Sequence, residues 1–242
     1  MSDFEGRGIA AAMQRGQEHI RRLNQAEREK QKAEMKTENL KFLFFDTETT
    51  GKCDFRAPPD APHQPRLVQL AALLTDGQGK EIASLNVIAR PEGFTIPAEA
   101  SAVHGITTEF ALENGAPLGH VVAMFCALAE ISSAYVCHNA EFDLLVMTGE
   151  MLRLTRDFPS RPACCTMKSM TEVCRLPGPY GYKWPKLQEA YRHCCGREFD
   201  GAHDALADVR ACREIFFWQR RQEAEARKRL DEDDLDYEQP KR

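Results

Sequence analysis

The sequence predicts an α/β fold, a mixed β-sheet with helices packed against it. Three observations carry this prediction. Leu40–Glu48 (LKFLFFDTE) is apolar on both faces, as a central buried strand must be. Leu67–Leu74 and Ile82–Ala89 read as two further strands. The stretch Thr75–Glu81 between them, with Asp76-Gly77 and Gly79, reads as the turn of an antiparallel hairpin. From there on, short apolar runs alternate with helical periodicity, the order expected when helices pack on a sheet.

The later elements follow in turn. Pro117–Ile131 has the period of a helix, Tyr135–Cys137 is a short strand, and a helix is expected over about Ala140–Leu154. Cys165–Met167 reads as another short strand, and Pro185–Cys195 and His203–Trp218 as helices. The two ends differ from this middle. Residues 1–39 mix opposite charges with few large apolar side chains, as in a solvated helix or a disordered arm. Residues 219–242 read as a charged helix end followed by an acidic tail around Asp231–Asp234. The expected organisation is one domain over 40–218 between two charged extensions.

Composition narrows the class. A chain of 242 residues, 43% hydrophobic and 29% charged, suits a single globular domain. It has no apolar run long enough to span a bilayer, and its N-terminus lacks a secretory signal. The expectation is a cytoplasmic protein with no membrane partner, whose nine cysteines are thiols. The net charge, 32 − 37 = −5, argues against a protein that coats nucleic acid electrostatically. It leaves room for an enzyme that meets phosphates through metal ions.

Four stretches carry candidate chemistry. Asp46 and Glu48 end the most buried strand, and residues two apart on a strand share a face. Two such acids either share a cation, with oxygen ligands suiting Mg²⁺ or Mn²⁺, or simply reach water at the strand end. In HNAEFD (138–143), Asn139 is placed to cap a helix. Asp143 falls in its first turn, where an acid also serves the helix dipole. In HDALAD (203–208), Asp204 and Asp208 share a helix face, one as a ligand and the other as a cap. His203 is a candidate general base there, since an unperturbed imidazole titrates near neutrality. The fourth stretch is IPAEASAVHGI (96–106), in which His104 reads alone as a satisfied loop histidine.

Together, FFDTETTG (44–51), HNAEFD (138–143) and HDALAD (203–208), in this order and spacing, resemble the three motifs of the DEDDh family of 3′→5′ exonucleases. The resemblance covers about residues 40–218. It implies a ribonuclease-H-like fold, with Asp46, Glu48, Asp143 and Asp208 as acids holding two Mg²⁺ (or Mn²⁺) and His203 as general base. It also implies that the backbone of Thr49, Thr50 and Gly51 and the loop at His104 hold the 3′-terminal nucleotide. Phe142, Tyr182 and Trp184 are candidates to stack on bases. Residues 161–200 carry seven basic and four acidic side chains, a local +3 that either tracks a phosphate backbone or forms a solvated surface.

The expected partner is a single-stranded or frayed 3′ end, DNA favoured. A polymerase or other protein is a possible partner through the terminal extensions. RNA trimming and a non-catalytic module of the same fold are the alternatives. Cys53–Pro65 (CDFRAPPDAPHQP) stands outside the family pattern as an insertion-like stretch.

Overall fold

A computed structural model describes residues 39–201 and 204–237. The N-terminal extension up to residue 38, His203 and the last five residues lie outside the described residues. The main strands are β1 (Lys41–Thr49), β2 (Leu67–Asp76), β3 (Glu81–Ile88), β4 (Ala134–Cys137) and β5 (Ala163–Cys165). They form one sheet in the order β3-β2-β1-β4-β5. β1, β2 and β3 pair antiparallel, while β4 and β5 join parallel to β1. The sheet is therefore mixed, with β1 at its centre, and the antiparallel hairpin read from Asp76-Gly77 is present.

Strand alternation explains why β1 is apolar on both faces. Leu43 and Phe45 point to one side, where Phe45 meets Phe125 at 5.1 Å and Tyr135 at 5.6 Å between ring centres. Phe125 belongs to α3 (Leu118–Glu130); α4 (Ala140–Arg153) adds Met147 and Met151 to the same core. Phe42 and Phe44 point to the other side, where Phe216 packs against them at 4.9 and 5.5 Å. Helices thus cover both faces of the strand that carries Asp46 and Glu48.

Three regions differ from the sequence reading. The segment Ile96–Ile106 holds a helix, α1 (Ala98–His104), closed by Gly105 at φ 77, and α2 (Thr108–Asn114) follows it. Seven-residue helices show too few turns to declare a period, so His104 ends a helix and does not lie within a loop. The expected strand at Cys165–Met167 stops at Cys165. Thr166 opens a short helix, α5 (Thr166–Ser169), with α6 (Thr171–Cys174) behind it. Past α7 (Leu187–Cys195), the last helix, α8 (Ala205–Tyr237), does not stop at Trp218 but continues through the acidic run. Every residue from Arg221 to Leu230 is exposed, and this stretch of Gln, Glu, Ala, Arg and Lys contains no helix breaker.

The Pro-rich stretch at 53–65 is a folded loop. The buried Gln64 side-chain amide donates to the carbonyl of Asp54 at 2.7 Å and to that of Pro58 at 3.2 Å, while its oxygen accepts the Asp54 N–H at 3.0 Å. The loop lies directly on α4, where a Cβ at Gly149 would fall 2.2 Å from the Pro59 carbonyl oxygen. Next to Gly149, the buried Glu150 accepts from the Arg66 guanidinium at 2.8 Å and from the Leu67 N–H at 2.9 Å. Arg66 in turn exchanges hydrogen bonds with Thr50, its N–H to Thr50 Oγ1 at 2.8 Å and its carbonyl from the Thr50 N–H at 3.0 Å. Loop, α4 and the end of β1 are thereby held as one piece. Gly149→Ala is expected to cost about 1–3 kcal/mol by overpacking. Its thermal midpoint should fall below that of a control alanine at an exposed α4 position, and an equal midpoint would show that the loop yields freely.

Candidate active site

Asp46 and Glu48 continue the row of Phe42 and Phe44, on the face of β1 turned toward α8. The β1–β2 register slips between Glu48 and Thr49, so the strand bends where the acidic pair ends. Asp208, in the first turn of α8, meets the pair. One carboxylate oxygen from each of Asp46, Glu48 and Asp208 lies within 4.8 Å of the others. Asp204 takes the other role expected of this motif, accepting the Ala207 N–H at 2.9 Å as a cap of α8.

Asp143 approaches from the opposite face on α4. It is buried, and its Oδ1 accepts both the Thr47 N–H, at 3.0 Å, and the Thr47 hydroxyl, at 2.9 Å. Thr47 stands between Asp46 and Glu48, so the fourth acid is locked to the same three-residue stretch from behind. Asp143 is not within the tight group of three. Asn139 occupies the position before α4 but makes no side-chain cap, as its left-handed backbone (φ 76, ψ 50) turns the chain instead. Asparagine tolerates this conformation better than most residues.

The electrostatics follow from burial and crowding. Burial, followed by repulsion from Asp143, Glu48 and Asp208, pushes Asp46 well above the ordinary carboxylate range. Burial and the charges of Asp208 and Asp204 raise Glu48 to about 7. Asp143 is also raised to about 7 by burial, against the opposing hydrogen bonds of Thr47. Like charges collected in this way are costly unless a cation neutralises them. An all-oxygen donor set of this kind fits a hard divalent cation.

Beside the cluster lies a cavity of about 380 Å³. Glu48 forms one wall with Thr49, Thr50 and Gly51, and His104 and Val103 of α1 form the other. The four residues expected to hold the terminal nucleotide, Thr49, Thr50, Gly51 and His104, are thus gathered around one space. Phe142 is not among them; it is partly buried against the core under the sheet. His104 Nδ1 accepts the Ile106 N–H at 3.2 Å, its Nε2 is buried without a hydrogen-bond partner among the described residues, and burial lowers its pKa. The ring is therefore neutral at neutral pH. Val103, half exposed at the rim, and Thr47, the holder of Asp143, had no separate signal in the sequence. Each was legible only as the neighbour of a motif residue.

A central strand ending in paired acids, flanked by antiparallel and parallel neighbours, is the arrangement of the ribonuclease-H-like fold class. The family model described as exonuclease, of the RNase T type, matches residues 43–216. Uncharacterized exonuclease CP81 of Escherichia phage 186 is 35% identical over 176 residues, which is 69% of this chain and 82% of that protein. DNA polymerase III subunit epsilon of Escherichia coli (strain K12) is 26% identical over 189 residues, covering 75% of this chain and 72% of the subunit. The solved structure of E. coli Exonuclease I in complex with a dA16 oligonucleotide matches with a TM-score of 0.61 at 22% identity. That match covers 74% of this chain but only 40% of Exonuclease I. The chain belongs to the exonuclease family, and within it to the DEDDh-type 3′→5′ exonucleases that its motifs resemble. Among the described residues, no helix is long and apolar enough to cross a membrane.

Proposed function

We propose that the chain is a metal-dependent 3′→5′ exonuclease that releases nucleoside 5′-monophosphates from single-stranded or frayed 3′ ends, DNA in preference to RNA. The observation that carries this reading is the convergence of Asp46, Glu48 and Asp208 within 4.8 Å beside an open cavity. Asp46, Glu48, Asp143 and Asp208 would hold two Mg²⁺ or Mn²⁺ ions. When bound, such ions supply positive charge to the attacking water and the departing 3′-oxygen. Asp143, fixed by Thr47 and by the loop packed on α4, keeps the donor set in place. The cavity walls of Thr49–Gly51 and His104 hold the terminal nucleotide, and the neutral imidazole of His104, whose Nδ1 already accepts the Ile106 N–H, can donate a hydrogen bond from Nε2 without adding charge. His203 takes the proton of the water, which requires its neutral form at the start. The catalytic domain spans 40–218, and a protein partner such as a polymerase would be met through the terminal extensions.

The preference for single strands rests on energy. A paired end must first be opened, at a cost of a few kcal/mol, before the last nucleotide reaches the acids. The test is degradation of matched, end-labelled DNA and RNA oligomers with Mg²⁺, Mn²⁺ or EDTA. Mononucleotide release from 3′ ends in either metal but not in EDTA is the expected result. His203→Ala should slow release by about 10²- to 10⁴-fold, the worth of a positioned base. The loss should shrink as pH rises and hydroxide takes over. A variant of near wild-type rate would remove His203 from the chemistry.

A further inference from the structure

We propose that the hairpin between α6 and α7 is a stacking platform for the single-stranded chain leading to the cleaved end. The proposal rests on the exonuclease reading above and extends it to substrate beyond the terminal nucleotide. The hairpin consists of β6 (Pro177–Gly178) and β7 (Gly181–Tyr182), paired Pro177 with Tyr182 and Gly178 with Gly181. Its two glycines are demanded by its shape. Gly181 has φ 120, and a Cβ at Gly178 would fall 3.0 Å from the Lys183 backbone nitrogen. This tight turn carries Tyr180 at its tip, 103% exposed, followed by Tyr182 at 46% and Trp184 at 61%. Three aromatic side chains in five residues are thus kept in water, where their burial contributes nothing to folding. A contiguous display of this kind marks a binding surface.

Position and charge select the occupant. The residue after Trp184 is Pro185, whose carbonyl lies 3.0 Å from His138 Nε2, while His138 Nδ1 lies 2.9 Å from Thr166 Oγ1. His138 stands at the turn that opens α4, the helix carrying Asp143. The base of the hairpin is therefore tied to the catalytic framework. From Arg175 to Lys186 the chain has three cations and no carboxylate. Glu189 faces two of them: it pairs with Lys183 at 2.6 Å and also feels Lys186. In a protein of net charge −5, exposed tyrosine and tryptophan set among lysine and arginine suit bases and phosphates together. Stacking is tolerant of sequence, as an exonuclease requires, and it adds grip where the overall charge cannot.

The experiment uses the full chain and two substrates: a single-stranded DNA of about twelve nucleotides and a chromogenic phosphodiester of thymidine 5′-monophosphate, too short to reach the hairpin. The Tyr180→Ala/Trp184→Ala variant should lower the ratio of kcat/KM for the oligomer to that for the ester by about 10- to 100-fold, the worth of one lost base stack. Trp184→Phe should restore most of it. Because all three side chains lie at the surface, the variant keeps its fold, and ester turnover verifies this. An unchanged ratio would overturn the platform and leave the hairpin to a protein partner. Failure of the wild-type chain to hydrolyse either substrate would instead overturn the exonuclease reading itself, and the platform with it.

Discussion

Asp46→Asn should lower the rate of nucleotide release by at least about 10³-fold while leaving the metal-free fold as stable as the wild type or more so. The first half follows from the position of the residue. The pKa of Asp46 is raised by all three of the other acids, Asp143, Glu48 and Asp208. A cation held among them must therefore touch or lie beside its carboxylate. Losing several kcal/mol of charge stabilisation in the transition state corresponds to about three powers of ten. The second half follows from the same crowding. Without a cation, Asp46 either stays charged among like charges or holds a proton that the unfolded chain would release, and an amide of equal size removes that cost. Ordinary core polar substitutions destabilise; this one should not. Release rates with Mg²⁺ and thermal melting in EDTA check the two halves separately. A variant within tenfold of the wild-type rate would exclude Asp46 from the metal site. A large drop in its metal-free melting temperature would show that Asp46 has a structural task.

How much of this was visible in the sequence depends on how local the signal is. The both-faces-apolar run before Asp46 marked the central strand, because only a strand buried on two sides needs Phe42, Phe44 and Phe45 together. The period-two spacing placed Asp46 and Glu48 on one face. The shared helix face left Asp204 and Asp208 equal, and the resemblance favoured Asp208 as the ligand; the structure adds that Asp204 accepts the Ala207 N–H as a cap. What could not be read was non-local. Phe142 sits one residue before Asp143, on a helix where adjacent side chains point apart, and it faces the core under the sheet. The helical nature of the His104 segment is hidden by its length. The clamp from Thr50 through Arg66 to Glu150 joins residues up to a hundred positions apart, and neither charge has a local pattern. The sequence carried the last helix past Trp218 as a charged end, but how far it runs was hidden for a different reason. From Arg221 to Leu230 every residue is exposed, so no hydrophobic period continues along this stretch, and only propensity carries the helix through it.

Removing the metal should leave a protein whose stability falls as pH rises, the reverse of the usual behaviour of paired carboxylates. Burial and like charge lift Glu48 from an ordinary 4.5 to about 7, and Asp143 from 3.8 to about 7. Below pH 4 both states carry the protons. Between about 4 and 7 the folded chain still holds protons that the unfolded chain has released, so each step up in pH favours unfolding. Above 7 the loss is complete. For Glu48 alone the shift corresponds to about 3 kcal/mol, or roughly 6–12 °C of melting temperature for a domain of this size. Other groups titrate over the same range, so the clean comparison is with Glu48→Gln, in which this component is absent. In EDTA, the melting temperature of the wild type relative to this variant should fall between pH 5 and pH 8. Adding Mg²⁺ or Mn²⁺ at pH 8 should recover the difference in the wild type but not in the variant. At pH 5 the same addition should do little, because protons and cations compete for the same oxygens. Hydrolysis should vanish and return with the same additions. A flat difference between wild type and variant across this pH range would mean that Glu48 ionises freely in the folded chain, and the case for a cation at the end of β1 would lose its electrostatic support.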